Sequence, residues 1–105
     1  MRPSVRIIHL ICPNELHVEQ LGNGRYSTGI WVVGKQAADD ADLIALHKSR
    51  SDRSYLQGRK TSWTNERRDP GSAHAEGRRF YFEEDGPPVN WPERGGAGEK
   101  AYTYR

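Results

Sequence analysis

The sequence predicts a small, mainly β domain, arranged as a β-barrel with one or two short helices. Its 105 residues fit one domain. Short apolar or alternating segments bounded by turn-forming residues recur along the chain and indicate six or seven strands. Apolar residues account for only 34 %, against about 45–50 % in an average globular protein, so the three tryptophans and five tyrosines are expected to supply much of a small core. Barrel closure would protect strand edges that such a core cannot cover.

The first third of the chain predicts three extended segments and a tight turn. Residues 5–12 are β-branched and apolar and end at a Pro-Asn pair, which is typical of a buried strand. Residues 16–20 alternate between apolar and polar side chains, which indicates a half-buried extended segment. An Asn-Gly pair within residues 21–25 predicts a tight turn, because both residues accept positive φ angles. Residues 29–33 then predict a buried strand.

The remainder of the chain predicts one short helix and four more strands. Residues 35–42 contain the helix-compatible run Gln-Ala-Ala. Residues 43–47 return to strand character, and residues 55–64 alternate loosely, with Tyr, Gln, Arg, Thr and Trp on one face. The run Arg-Phe-Tyr-Phe-Glu at 79–83 predicts a strong strand, and residues 100–105 predict a last strand.

The prediction is of one domain, residues 1–105, with two irregular regions. A flexible connection is expected near residues 67–77, and a Pro/Gly-rich loop near residues 86–98. Cys12 is the only cysteine, which excludes an internal disulfide and predicts a buried free thiol in a reducing, cytoplasmic compartment. The apolar run around it is too short for a signal peptide or a membrane span, so no membrane partner is expected.

The charges are distributed unevenly, although the net charge is only +2. Residues 47–68 contain seven Lys or Arg and two acidic residues, whereas residues 69–98 contain six acidic residues and three basic ones. A basic stretch beside an acidic one predicts a polar face and not a nonspecific DNA coat. The candidates for contact with a nucleic-acid backbone are Lys48, Arg50, Arg53, Arg59 and Lys60.

Motifs for cofactor, metal and nucleophilic chemistry are not found in the sequence. The candidate metal ligands Glu15, His9, His17 and His47 are scattered, and one cysteine cannot build a thiolate site. A phosphate-binding loop, a complete dinucleotide fingerprint and a Gly-x-Ser-x-Gly turn are all missing. We therefore predict neither a cofactor nor a metal, and we assign no catalytic residue.

Polar and aromatic residues instead lie together near glycines, in residues 25–31 and again in residues 54–59. Aromatic stacking, combined with hydrogen bonds to a base edge, is how proteins hold an unpaired or flipped base. The predicted ligand-binding residues are Ser27, Thr28, Trp31, His47, Ser54, Tyr55 and Trp63. The alternative for Trp31 and Tyr55 is an ordinary core position. The alternative for His47 is a strand-end histidine that satisfies a backbone carbonyl.

At these segments the sequence resembles small bacterial and phage proteins of the PUA-like superfamily, near its EVE and ASCH branches. The segments that carry the resemblance are residues 14–19, 24–31, 46–48, 54–58 and 98–100. The resemblance implies a PUA-like pseudobarrel with a pocket beside it that binds RNA or a modified DNA base. It also implies that residues 27–31, 47–48 and 54–55 face that pocket.

Three functions follow as hypotheses. The leading one is a nucleic-acid-binding module that holds a modified or unmodified base of RNA or DNA. The second is a small amidohydrolase or nuclease of the ASCH type. Such enzymes use a Thr, Lys and Glu set. This function is disfavoured because strand alternation places Lys60 on the face opposite Thr61, so the two cannot belong to one set. The third is an inhibitor module of a phage or mobile element, which would present a broad exposed face and not a pocket.

Overall fold

The computed structural model describes residues 4–15, 17–67, 76–92 and 98–105, and most of these belong to one seven-stranded sheet. The strands are β1 (Val5–Ile11), β2 (Glu19–Gly22), β3 (Arg25–Trp31), β4 (Leu43–His47), β5 (Leu56–Arg67), β6 (Glu76–Glu84) and β7 (Lys100–Tyr104). One α-helix, α1 (Lys35–Asp40), and a single 3-10 turn (Pro13–Glu15) complete the described elements. The predicted mainly β class is confirmed. No described helix has the length and apolar character needed to cross a membrane.

The sheet is mixed and open, with the order β2-β3-β6-β5-β4-β1-β7. Every neighbouring pair is antiparallel except β1 and β4, which run parallel with Ile11 opposite His47. Strands β2 and β7 are the two edges, so the described strands do not close into the expected barrel.

The apolar core lies on one face of the sheet, under α1. Alternation places Ile8 and Leu10 of β1 beside Ile44 and Leu46 of β4 on this face. From the other strands and α1 the fully buried members are Phe80, Phe82 and Ala38. The expectation of a core rich in Trp and Tyr is wrong, because the buried core contains neither. Five of these residues lie half-buried at its margin, where Tyr55 O–H and Trp63 N–H reach hydrogen-bond partners.

The elements are predicted well where one face is buried and less well where both faces are polar. Strand β3 begins four residues before the predicted residues 29–33, and β5 and β6 extend into the predicted connection 67–77. Most side chains of the outer half of β5 are exposed, so an apolar periodicity could not reveal this ribbon. Residues 68–75 and 93–97 lie outside the described residues, whereas residues 86–92, part of the predicted loop 86–98, have no regular secondary structure.

A register shift in β5 brings Lys60 and Trp63 into contact with α1. The shift lies between Lys60 and Ser62, so Lys60 is opposite Phe82 and Trp63 is opposite Phe80, both on the core face. The alternation predicted from the sequence had placed Trp63 with the residues facing the other way. Lys60 Nζ donates to the carbonyls of Ala38 and Asp39, and Trp63 Nε1 donates to Asp39 Oδ1 at 3.1 Å. Lys60 thereby caps carbonyl groups at the C-terminal end of α1, where a positive charge is favourable.

Gly58 of β5 packs against the backbone of β6 with no room for a side chain. A Cβ at this position would collide with the carbonyl group of Glu83, which belongs to the backbone of β6 and cannot rotate away. Gly34, before α1, has open space around its Cα and ordinary backbone angles.

We expect Gly58→Ala to lower the free energy of unfolding by more than about 2 kcal/mol, because the backbones of two central strands must separate. Gly34→Ala should change it by less than about 1 kcal/mol, since a compatible glycine position tolerates Ala. Urea denaturation of both variants measures the difference. Equal effects at the two positions would contradict the packing described for Gly58.

Candidate functional site

A cleft separates the C-terminal end of β3 from the C-terminal end of β1 and the beginning of β7. Its volume is about 590 Å³, within the roughly 300–1,000 Å³ typical of small-molecule sites. One hydrogen bond crosses it, from Lys100 Nζ to the carbonyl oxygen of Val32. The lining residues are Ile11, Cys12, Pro13, His17, Gly29, Ile30, Trp31, Val32, Gly98, Glu99 and Lys100. The curled sheet therefore brings distant strands into one concave site.

The β3 wall of the cleft is shaped by a bulge. The pairing of β3 with β6 shifts register between Ser27 and Ile30. The Thr28 hydroxyl fills the gap in the ladder by accepting the Phe80 N–H at 3.1 Å and donating to the Gly29 carbonyl at 2.7 Å. Pairing with β2 reaches only to Ser27, so the rest of β3 borders the cleft.

His17 packs directly on the part of β3 that does not pair with β2. A Cβ at Gly29 would lie 2.8 Å from the His17 Cβ, so only glycine allows the contact. His17 itself has a positive φ of 62°, which turns the chain from the 3-10 segment towards β2. The close approach that Gly29 permits is therefore made by a side chain of the same chain.

Trp31 is the predicted ligand-binding residue that lines the cleft. It is half-buried and packs against the core on one side. Ser27 and Thr28 lie behind this wall, buried to 1 % and 0 % exposure. Tyr55 contacts the opposite wall from outside, where its hydroxyl donates to the Cys12 carbonyl at 2.6 Å.

The remaining predicted ligand-binding residues are placed elsewhere. Ser54 donates to Gln57 Oε1 at 2.6 Å and accepts the N–H of Val89 at 2.9 Å, which anchors the Pro-rich segment 86–92. Trp63 lies against α1, with the Arg78 guanidinium 4.8 Å from its ring centre. His47 is fully buried in a histidine pair.

This histidine pair occupies the sheet face opposite the apolar core. His9 and His47 are both 0 % exposed, and His9 Nδ1 lies 2.9 Å from His47 Nε2. The chain of contacts continues to Thr103 Oγ1, 2.7 Å from His9 Nε2, and to the Asp52 carbonyl, 2.9 Å from His47 Nδ1. His47 therefore satisfies a backbone carbonyl, the alternative that the sequence analysis left open.

The Asp52 carbonyl determines the direction of every bond in this chain. A carbonyl oxygen only accepts, so His47 Nδ1 carries a proton, and in the neutral ring His47 Nε2 then accepts from His9 Nδ1. His9 Nε2 then accepts from the Thr103 hydroxyl. Both rings are neutral in this arrangement, and protonation of both would oppose two N–H groups across 2.9 Å.

Burial opposes protonation of this pair. Desolvation, followed by the charges on His47 and Arg6, lowers the pKa of His9 from 6.5 to about 4. Desolvation also lowers the pKa of His47, although the Asp52 carbonyl partly compensates. The Trp91 ring seals the pair edge-on, with its centre 5.8 Å from that of His9 and 5.2 Å from that of His47.

Stability should therefore fall as the solution is acidified. The unfolded chain takes up a proton on His9 near pH 6.5, whereas the folded chain does so only near pH 4. The contribution of a neutral His9 to the free energy of unfolding is fully present above pH 6.5. It is lost as the pH falls towards 4, by up to about 3 kcal/mol. Urea denaturation between pH 7.5 and pH 4.5 measures this, with His9→Gln expected to show a shallower pH dependence. Parallel curves for the two proteins, or a normal imidazole titration of His9 by NMR, would contradict the buried pair.

The predicted basic residues divide into two groups. Lys48, Arg50 and Arg53 are exposed on the loop between β4 and β5. This loop is tied to the cleft wall, because the Cys12 N–H donates to the His47 carbonyl at 2.9 Å. Arg59 lies on β5, 3.8 Å from a carboxylate oxygen of Glu83, and Lys60 binds the end of α1. The three loop residues thus lie on a segment whose two ends, His47 and Tyr55, contact Cys12 of the cleft wall.

The groups that could support catalysis are dispersed. Burial raises the pKa of the Cys12 thiol to about 12, so the thiol stays protonated at the cleft wall. Thr64 donates to Glu66, which also accepts from Arg79, but Thr61 donates to the Tyr81 carbonyl and Lys60 binds α1, so Lys60 does not join a Thr and Glu pair. No group of three possible metal ligands occurs within the described parts of the chain.

Several residues of this site were missed by the sequence analysis. Lys100 and His17 line the cleft, and His9 pairs with a histidine 38 positions away. Only the polar character of His9 within an apolar strand signals a buried partner, and it does not indicate which one. Comparison with known proteins adds no relative: no family model, curated protein or solved structure matches this chain.

Proposed function

We propose that this protein binds nucleic acid and holds one base of RNA or DNA, modified or unmodified, in the cleft between β3 and β7. The observation that supports this most is an indole side chain, Trp31, in the wall of a cleft of about 590 Å³. Aromatic side chains bind unpaired bases by stacking, and nearby backbone groups contribute hydrogen bonds to the base edge.

The position of the basic loop supports a nucleic-acid ligand over an isolated apolar molecule. Lys48, Arg50 and Arg53 are exposed on a loop whose ends contact Cys12, a residue of the cleft wall. Lysine and arginine contacts to phosphates supply most of the affinity of nonspecific nucleic-acid binding. A strand could place one base in the cleft and its neighbouring phosphates along this loop.

The resemblance to the PUA-like superfamily supports the same ligand class. Its implied pocket includes residues 27–31, and Gly29, Ile30 and Trp31 of that segment line the cleft. We propose that the cleft is equivalent to the pocket beside the pseudobarrel. In that arrangement a complete barrel would close between β7 and the part of β3 beyond Ser27, which β2 does not pair with.

The Trp31 ring should determine base affinity. We expect Trp31→Leu to weaken nucleoside or short-oligonucleotide binding about fivefold or more, because stacking of one base contributes about 1–3 kcal/mol. Leucine keeps apolar contact with the core while removing the stacking surface. Trp63→Leu is the matched control, since Trp63 is also half-buried but contacts α1 outside the cleft.

Isothermal titration of a panel of nucleosides and short oligonucleotides against the three proteins measures this difference. An equal loss of affinity in both variants would mean that Trp63 contributes to binding as much as Trp31 does. The cleft would then not be the base-binding site. Failure of the wild-type protein to bind any member of the panel would overturn the proposed function.

Binding of a single-stranded oligonucleotide should also weaken as salt rises. Each phosphate contact contributes a slope of about −0.7 in a plot of log affinity against log salt. Lys48→Gln combined with Arg53→Gln should make this slope shallower by one to two contacts. Arg25→Gln combined with Lys35→Gln removes the same charge from sites outside the loop and should leave the slope unchanged. Identical slopes for the two double variants would exclude the loop as the phosphate-binding surface.

A further inference from the structure

A second cavity of about 370 Å³ adjoins the cleft. The two cavities share His17, Gly29 and Ile30, so they adjoin each other at the β3 bulge. The second cavity is further lined by Val18, Glu19, Arg67 and Arg79. A single ligand can therefore occupy both cavities, with different parts of it against Trp31 and against the two arginines.

We propose that this second cavity binds the phosphate group of the nucleotide whose base lies in the cleft, so that the ligand is a nucleotide and not a free base or nucleoside. This inference rests on the proposed function. It adds the ligand's anionic group and the residues that recognise it, Arg67 and Arg79.

Arg79 is held ready for such a contact. Its Nε donates to Glu66 Oε2 at 2.8 Å, and its Nη1 donates to the Thr28 carbonyl at 2.9 Å. These bonds fix the plane of the guanidinium and use only part of its N–H donors. A planar arginine with donors remaining is suited to bind phosphate oxygens at little further entropic cost.

Arg67 supplies charge at the same cavity. It is the last residue of β5, is exposed, and forms no ion pair with any residue in the described ranges. Arg79, by contrast, already forms an ion pair with Glu66. Arg67 is therefore the cation whose removal should affect an anion most directly.

Glu19 provides a test of opposite sign. Its carboxylate also lines the cavity, and its charge acts on Arg79. A bound phosphate would be repelled by Glu19, so removal of this charge should strengthen phosphate binding. A ligand with a cationic group at this position would respond in the opposite direction.

The shared residues place the sugar between the two subsites. His17 lies over Gly29 at the boundary of the cavities, where the absence of a Cβ on Gly29 leaves room for the His17 side chain. A base against Trp31 and a phosphate near Arg67 are then joined across His17. This geometry distinguishes the second cavity from the basic loop, which lies on the Cys12 side of the cleft.

The experiment compares five ordinary nucleosides with their 5′- and 3′-monophosphates by isothermal titration. We expect one or more monophosphates to bind at least about tenfold more tightly than the parent nucleoside. Arg67→Gln should remove most of this advantage, and Glu19→Gln should increase it, while neither changes the affinity for the nucleoside. Arg25→Gln, which removes an exposed arginine from the beginning of β3 outside both cavities, should leave all affinities unchanged.

The outcomes separate this inference from the proposed function. Equal affinity for nucleosides and monophosphates in the wild-type protein would overturn the phosphate site and leave the base site standing. A phosphate advantage that survives Arg67→Gln, or that falls in Glu19→Gln, would also overturn it. Absence of binding by every nucleoside and monophosphate, together with no oligonucleotide binding, would instead reject the proposed function.

Discussion

The parallel pairing of β1 with β4 is the interaction on which the rest of this structure depends. It joins two strands separated by residues 12–42 of the chain, with Ile8 beside Ile44 and Leu10 beside Leu46. Because side chains alternate across a sheet, the same pairing that builds the apolar core sends His9 and His47 to the opposite face. Both faces of these strands are buried, so the protein must satisfy polar groups as well as pack apolar ones.

The two faces meet this requirement in different ways. The core face is filled by aliphatic side chains, two phenylalanines and the Cys12 thiol, with the hydrogen-bonding groups of Lys60 and Trp63 at its margin. The other face uses a hydrogen-bonded chain in which each nitrogen and oxygen has one partner and one direction. Trp91 closes this face from a Pro-rich segment that Ser54 anchors. Two residues selected from the sequence, His47 and Ser54, therefore stabilise the scaffold behind the candidate site.

The β3 bulge has the corresponding role on the other side of the cleft. In a regular ladder β3 would continue to pair with β6 through Thr28 and Gly29. The register shift interrupts this pairing where Gly29 contacts His17. With the Thr28 hydroxyl completing the ladder, the strand turns its last residues towards β1 and β7. The bulge also brings the Thr28 carbonyl to Arg79, which connects the wall of the cleft to the second cavity. A small sheet thereby gains a concave surface that an open sheet otherwise lacks.

The sequence by itself determined the mainly β class, the positions of β1, β4 and β7, the Asn-Gly turn before β3 and the single short helix. These features depend on local periodicity and turn chemistry, which adjacent residues express. It also placed Trp31 among the candidate residues. Only the tertiary structure decided that His9 pairs with His47, that the bulge in β5 turns Trp63 towards α1, and that Lys100 and His17 meet Trp31 at one cleft. These contacts join residues far apart in the chain, and strand order and register, which set them, arise from the packing of the whole sheet and leave no periodic signal in any one segment.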